Sequence, residues 1–330
     1  MKWDGKLLRC IVPCIAALCV GWSPAGFAQD KYPVRPIRIL IPFPAGGAAD
    51  VIGRTIGERL SAQMGQPVVI DNRPGAGGRL ATEMLAKAEP DGYTLLVGTV
   101  GAMSISPSLL KNLPYDVERD ILPLTRVGEI INVMVVNPST GSRSVREFID
   151  WAKKRPGEVR FGSSGAGQPD HLSGEFFQHL AGIQMTHVPY KGGGPALVDL
   201  IAGDLQLMFS TYVVALPHIN SGRLRALAVT TPQRQPLLPN LPAVAETVPG
   251  FGLSNWNGMF APAKTPRHIA DRLVAEINKA LQTAEVKKRQ HAAGIEPIGS
   301  PSSQDFAKFV REDTVRWAKI IKDANIKVEQ

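Results

Sequence analysis

The sequence predicts an α/β protein built as two lobes, and three observations carry that reading. After residue 30, short β-rich runs alternate with segments of helical period, an order that makes mainly parallel sheets covered by helices. Past Thr125 the alternation restarts, so a second sheet begins there. The chain then ends in two amphipathic helices and one short strand, too little to enclose a core, so they return to the first lobe. A chain that leaves one lobe, builds another and comes back has two crossings, which suits a hinge.

The order of elements follows from local patterns. Lys2, Lys6 and Arg9 precede the apolar run Ile11 to Val20, and Pro24-Ala25-Gly26-Phe27-Ala28 supplies small residues, so residues 1–28 read as a secretory leader cut after Ala28. Ile37 to Ile41 is a strand, followed by a Gly-rich turn and a helix with Ile52, Ile56, Leu60 and Met64 on one face and Gly65 as its C-cap. Val68 to Ile70 and Thr94 to Gly98 add two strands, with a helix carrying Leu80, Met84 and Leu85 between them. Residues 29–127 thus start the first lobe.

Residues 128–230 are expected to form the second. Ile130 to Val136 reads as its first strand and Val145, Phe148, Ile149 and Ala152 as a helix face. Val159 to Gly162, Met185 to Tyr190, Leu205 to Phe209 and Arg225 to Val229 supply further strands. From Thr231 a proline-rich stretch reads as an extended connector, with Trp256 and Phe260 packing at the hinge. Ile269, Leu273, Ile277 and Leu281 mark one closing helix; Ser302, with Asp305 three residues on, opens the other. Residues 231–330 complete the first lobe.

Composition narrows the function. All three cysteines, Cys10, Cys14 and Cys19, lie in the leader, so thiol chemistry and cysteine metal sites are excluded from the mature chain. Removing the leader's three cations and Asp4 lowers the formal charge from +8 to +6. That excess is spread along the chain without a block of like charges, which argues against nucleic acid and either favours an anionic solute or is incidental. No stretch after residue 30 approaches the roughly 18–20 apolar residues of a membrane span.

Open α/β sheets bind ligands at the carboxyl ends of their strands, and glycines cluster there. Phe43-Pro44-Ala45-Gly46-Gly47-Ala48 leads to Asp50, and Thr99 precedes Gly101 and Ser104. Ser163-Ser164-Gly165 with Gly167, and Tyr190 with Gly192 and Gly193, take equivalent turns in the second lobe. Such turns leave backbone N–H groups unpaired at helix starts, where the dipole favours a carboxylate. Any one of them could be only a tight turn; four, two per lobe, point to a cleft lined with backbone donors. Asp50, in a first helical turn, also suits dipole stabilisation.

Enzyme motifs fail on spacing. Gly165-Ala166-Gly167 lacks the third glycine of a dinucleotide fingerprint, and Lys191 precedes its glycines, which removes a Walker A loop. Gly162-Ser163-Ser164-Gly165 misses the nucleophile-elbow pattern. His171 and His179 stand two helical turns apart, too far to share a metal. A periplasmic hydrolase using Ser163 or Ser164 with His171 or His187 is kept as the rival reading.

Several ordered blocks carry a resemblance: Pro42 to Gly47 with Asp50, Val69 to Gly78, Pro90 to Leu96, Pro189 to Gly193, Leu224 to Thr230 and Gly258 to Pro262. The chain resembles the substrate-binding proteins of tripartite tricarboxylate transporters, the Bug family. The resemblance implies a type II periplasmic-binding (Venus flytrap) fold without cofactor or metal and a small carboxylate ligand gripped first by Pro44 to Ala48. It also implies a membrane permease partner, or alternatively a sensor kinase, and a monomer. After the strand Leu207 to Phe209 many relatives carry an aspartate where this chain has Ser210-Thr211. Without that counter-charge an ammonium-bearing ligand is disfavoured, so Ser210 is expected to contact a plain carboxylate.

Overall fold

The computed structural model describes residues 32–326; the expected leader lies outside them. The first half of the chain runs β1 (Ile37–Ile41), α1 (Ala48–Met64), β2 (Val68–Asn72), α2 (Arg79–Ala86), β3 (Thr94–Thr99), α3 (Ser106–Leu109), α4 (Val117–Asp120) and β4 (Ile121–Ile130). It continues with β5 (Asn132–Val136), α5 (Val145–Lys153), β6 (Val159–Ser163), α6 (Pro169–Ala181), β7 (Met185–Pro189), α7 (Gly193–Ala202), β8 (Leu207–Thr211), α8 (Tyr212–Asn220) and β9 (Arg225–Val229). The return consists of β10 (Asn255–Pro262), α9 (Arg267–Leu281), α10 (Ala284–Ala292), β11 (Ile295–Glu296) and α11 (Ser303–Asp323).

Two sheets result, as expected of the fold class. One has the order β11-β4-β10-β3-β1-β2 and the other β7-β6-β8-β5-β9. Both are mixed instead of mainly parallel: β10 runs against β3 and β4, and β5 runs against β8 and β9. The crossings explain this. β4 and β5 form one excursion from sheet to sheet interrupted only at Ile131, and β10 is the return; β4 runs with β1 and β3, whereas β5 and β10, the strands by which the chain enters each sheet from a crossing, run against the parallel units. The strand read at Ile130 to Val136 is therefore two strands in two sheets.

Local chemistry explains the tight packing of α1. Ile52, Ile56 and Leu60 are fully buried along one stripe, and Gly53 and Gly57 let the helix lie close on its strands. A Cβ on Gly53 would stand 2.4 Å from Ile41 Cδ1 and one on Gly57 3.1 Å from Val68. Gly65 ends the helix at φ 70°, a left-handed cap that glycine adopts without steric cost. At the far end of the chain, Ser302 Oγ accepts from Asp305 N and starts α11.

The connector read from Thr231 onward holds a strand, β10, in the interior of the six-stranded sheet. Trp256 lies on it beside the first crossing, opposite Glu129, and Phe260 farther along, opposite Pro123. Trp256 Nε1 donates to Asp313 at 2.8 Å and its ring meets Phe306 and Phe309 edge-on. The aromatic of the returning segment that sits in the other sheet's core is Phe251, 5.8 Å from Phe176 and 5.9 Å from Phe209 between ring centroids.

Candidate functional site

The carboxyl ends of the parallel strands in the two sheets face a common cavity of about 390 Å³. From the six-stranded sheet come Phe43 to Ala49 after β1, Thr99 at the end of β3, and Asn255 and Asn257 on β10. From the five-stranded sheet come Ser164, Gln168, Pro169 and Asp170 around the start of α6, Lys191 to Pro195 around the start of α7, and Met208 to Thr211 on β8. Ile130 and Asn132 flank the first crossing.

Eleven of the sequence-expected contacts thus lie at the wall: Phe43, Pro44, Ala45, Gly46, Gly47, Ala48, Thr99, Ser164, Gly192, Gly193 and Ser210. Seven stand behind it and shape it. Asp50 and Ser163 hold the loops, as described below. Ser104 is buried with its hydroxyl donating to Val310 O, and Gly101 packs on Gln168. Gly165 and Gly167 take positive φ in the turn, and Tyr190 Oη donates to Asp199 at 2.5 Å. The residues that sequence reasoning passed over include Met208 and the asparagines. The asparagines had a signal, since Asn255-Trp256-Asn257 alternates polar and apolar side chains at the period of a strand.

In each lobe an aspartate in the first turn of a helix clamps the loop before it. Asp50 is 4% exposed; its carboxylate accepts from Gly46 N at 3.0 Å, Arg54 Nε at 2.9 Å and Asn72 Nδ2 at 3.0 Å. Burial alone would raise its pKa, but the bonds from Arg54, the Gly46 amide and Asn72 together outweigh it and hold the carboxyl below the usual range. Asp170 accepts from Ser164 N at 2.6 Å, Ser164 Oγ at 2.9 Å and His171 N at 3.0 Å. No Lys or Arg pairs with it among the described residues, and burial pushes its carboxyl up to about 6.

Behind Asp170 lies a buried histidine pair. The rings of His171 and His187 are 3.9 Å apart, His171 Nδ1 accepts from Gly167 N, and Ser163 Oγ lies 2.6 Å from His187 Nε2. Burial, with His171 beside it, lowers the pKa of His187 to about 3. A serine against a neutral imidazole is the pairing a nucleophile uses, but Ser163 is fully buried and does not reach the cavity. Ser164, which does, donates its hydroxyl to Asp170.

Helix caps divide by position. α1, α6, α7 and α8 all begin at the cavity, after Gly47, Gln168, Gly192 and Thr211, and none has a side-chain cap. α4, α5, α10 and α11 begin elsewhere and are capped by Asp116, Ser144, Thr283 and Ser302. α2, α3 and α9 also lack side-chain caps, after Gly78, Ile105 and Pro266. Open backbone donors therefore concentrate at the cavity, where the helix dipoles favour an anion. α1 and α7 are the best placed. The acid of α1, Asp50, is turned onto Arg54, and α7 has no acid in its first turn and follows Lys191.

One side chain joins the two rims directly. Gln168, 1% exposed, donates from Nε2 to Gly77 O at 3.2 Å. A Cβ on Gly77 would stand 2.0 Å from that nitrogen and one on Gly101 3.1 Å from Gln168 Oε1. The two glycines form a seat for the amide.

Residues 52–326 match the family model described as the tripartite tricarboxylate transporter family receptor. The chain is 38% identical over 307 residues to protein BugT of Bordetella pertussis, covering 92% of this chain and 94% of the relative. Among solved structures, Rpa4515 of R. palustris with adipate is 36% identical with a TM-score of 0.86, over 90% of this chain and 99% of that one. MatC of Rhodopseudomonas palustris with bound malate is 30% identical with a TM-score of 0.81, over 88% and 100%. The chain belongs to the tripartite tricarboxylate transporter receptor family.

Proposed function

We propose, with that membership as the premise, that this chain is an exported, non-catalytic receptor that captures a small organic acid in the periplasm, with acid groups at both ends of the ligand. The observation that carries the reading is the gathering of uncapped helix starts, α1 on one side and α7 with Lys191 on the other, around one cavity. Each supplies main-chain donors to a carboxylate, and Phe43, Pro44, Met208 and Val214 offer apolar surface to the carbons between.

An acid held from both sides ties two bodies together. We assign residues up to Ile130 and from Asn255 on to one body and Asn132–Val229 to the other, moving about Ile131 and the segment after Val229. Gln168 on its glycine seat latches the closed form. That form would be delivered as a monomer to a membrane permease of the tripartite type. The adipate and malate of the two relatives support an acid as ligand, and the leader-like residues 1–28 support export.

A thermal-shift screen of the purified mature chain over mono-, di- and tricarboxylates tests the proposal. Diacids should raise the melting temperature in proportion to ln(1 + [L]/Kd) and should not be consumed. A screen in which no acid shifts melting, or in which an acid is turned over, defeats it. Pull-down of the liganded form from membranes separates a permease from a sensor kinase as partner.

A further inference from the structure

We propose that the cavity contains a hydroxyl-reading subsite, formed by Asn257 and Thr99, that selects hydroxylated acids over their deoxy analogues. The inference rests on the carboxylate-receptor reading and refines its ligand.

Asn257 on β10 and Thr99 on β3 are directly opposite in an antiparallel register, so their side chains project from the same face of the sheet. Val97, two residues before Thr99, lies near Gly53 of α1 on that face. The pair therefore sits under the Gly-rich loop that leads into α1, and both residues line the cavity. Asn257 is wholly buried and Thr99 is 7% exposed.

The orientation of the Asn257 amide is fixed by its neighbour. Nδ2 donates to Gly98 O at 3.1 Å, and a carbonyl can only accept, so the other amide atom must be the oxygen. Among the described residues neither Asn257 Oδ1 nor Thr99 Oγ1 has a hydrogen-bond partner. A buried acceptor of this kind requires a donor. Two residues along the same face, Asn255 spends its Nδ2 on Asn132 Oδ1 at 3.0 Å, so its oxygen too is left as an acceptor.

Carboxylates carry only acceptor oxygens and cannot satisfy Asn257 Oδ1. A ligand hydroxyl can: it donates to Asn257 Oδ1 and accepts from Thr99 Oγ1. Sites built to pair a buried hydroxyl discriminate strongly against analogues that lack it, because their own polar groups are then left unpaired. The chemistry selected is an acid with a hydroxyl between or beside its carboxylates.

Calorimetric titration of matched pairs tests this: lactate with propionate, malate with succinate, 2-hydroxyglutarate with glutarate, and citrate with propane-1,2,3-tricarboxylate. In the wild type the hydroxylated member of each pair that binds should be tighter by roughly tenfold to a hundredfold. Thr99→Val should bring that ratio down several-fold, and Thr99→Ser should restore it. Thr99→Val should also leave the melting temperature unchanged or higher, because the hydroxyl it removes has no protein partner, whereas a structural role would lower it. Equal affinities within the pairs in the wild type, as a permanently bound water would produce, overturn the subsite while leaving the receptor reading intact. An undiminished ratio in Thr99→Val overturns it too, and absence of any acid binding defeats the receptor reading itself.

Discussion

The loops before α1 and α6 use one device in two electrostatic settings. Asp50 and Asp170 each stand in the first turn of a helix and clamp a backbone amide of the preceding turn, Gly46 and Ser164 respectively. Asp50 has the guanidinium of Arg54 beside it and stays ionised; Asp170 has no Lys or Arg beside it among the described residues and is pushed up to about 6. The first loop is therefore held alike across the physiological range, whereas the second changes protonation state near the acid end of it. Of two similar clamps, only the one with a cation can be independent of pH.

The largest expected effect breaks the first loop's function without breaking its fold. Gly47→Asp puts a carboxylate at the open cap of α1, where φ is −81° and any residue fits. It should hold the melting temperature or raise it slightly, because an Asp cap exceeds a Gly cap by only a few tenths of a kcal/mol, while titration calorimetry shows at least about a hundredfold weaker binding, because the side chain takes the ligand's donors.

Exchanging the two clamps sharpens the contrast. Asp50→Asn can keep its one oxygen on Gly46 N and Arg54 Nε only by turning its amide hydrogens onto Asn72 Nδ2, and it loses the charge beside Arg54, so it should lose about 2–3 kcal/mol in denaturant unfolding at pH 7. Asp170→Asn should lose much less there, because it also removes the cost of a buried, ionised carboxylate. The pH dependence separates them further. The folded pKa of Asp170 lies above its unfolded value of 3.8, so its contribution is present below about 4 and is lost as pH rises through about 6. His187 works in the opposite sense: its folded pKa is depressed, so its contribution is present above 6.5 and is lost as pH falls toward about 3. Melting curves of Asp170→Asn between pH 4 and 6 should lack the downward slope with rising pH, and those of His187→Gln should lack the acid loss.

A smaller effect is expected at the latch. Gln168→Ala removes one neutral hydrogen bond between the rims and should weaken ligand binding about threefold to tenfold with little change in free-protein stability. Equal affinities for the variant and wild type would remove Gln168 from closure.

The amino-acid pattern revealed α1, α2, α5, α9, α11 and the glycine turns because those are set within a few residues, whereas α8 was not read and the return has a third helix, α10, beyond the two expected. The stripe Ile52, Ile56, Leu60, the Gly65 cap and the Ser302 cap are all local. β10 was hidden for the converse reason. Its partners Thr94–Thr99 and Ile121–Ile130 are remote in sequence, its register shifts at Asn257/Gly258 and Met259/Phe260, and prolines surround it. Half of the site was legible likewise: the α1 loop could be read from its glycines. Gln168 could not, because its significance depends on the absence of a Cβ at Gly77 and Gly101 across the cavity.

The central claim is that main-chain donors of both lobes hold the acid, and amide NMR with selective ¹⁵N-glycine labelling tests it most directly. On titration with a diacid that raises the melting temperature, the resonances of Gly47 at the start of α1 and of Gly193 and Gly194 at the start of α7 should move together, with one midpoint. Saturable binding that leaves either set in place would contradict the claim.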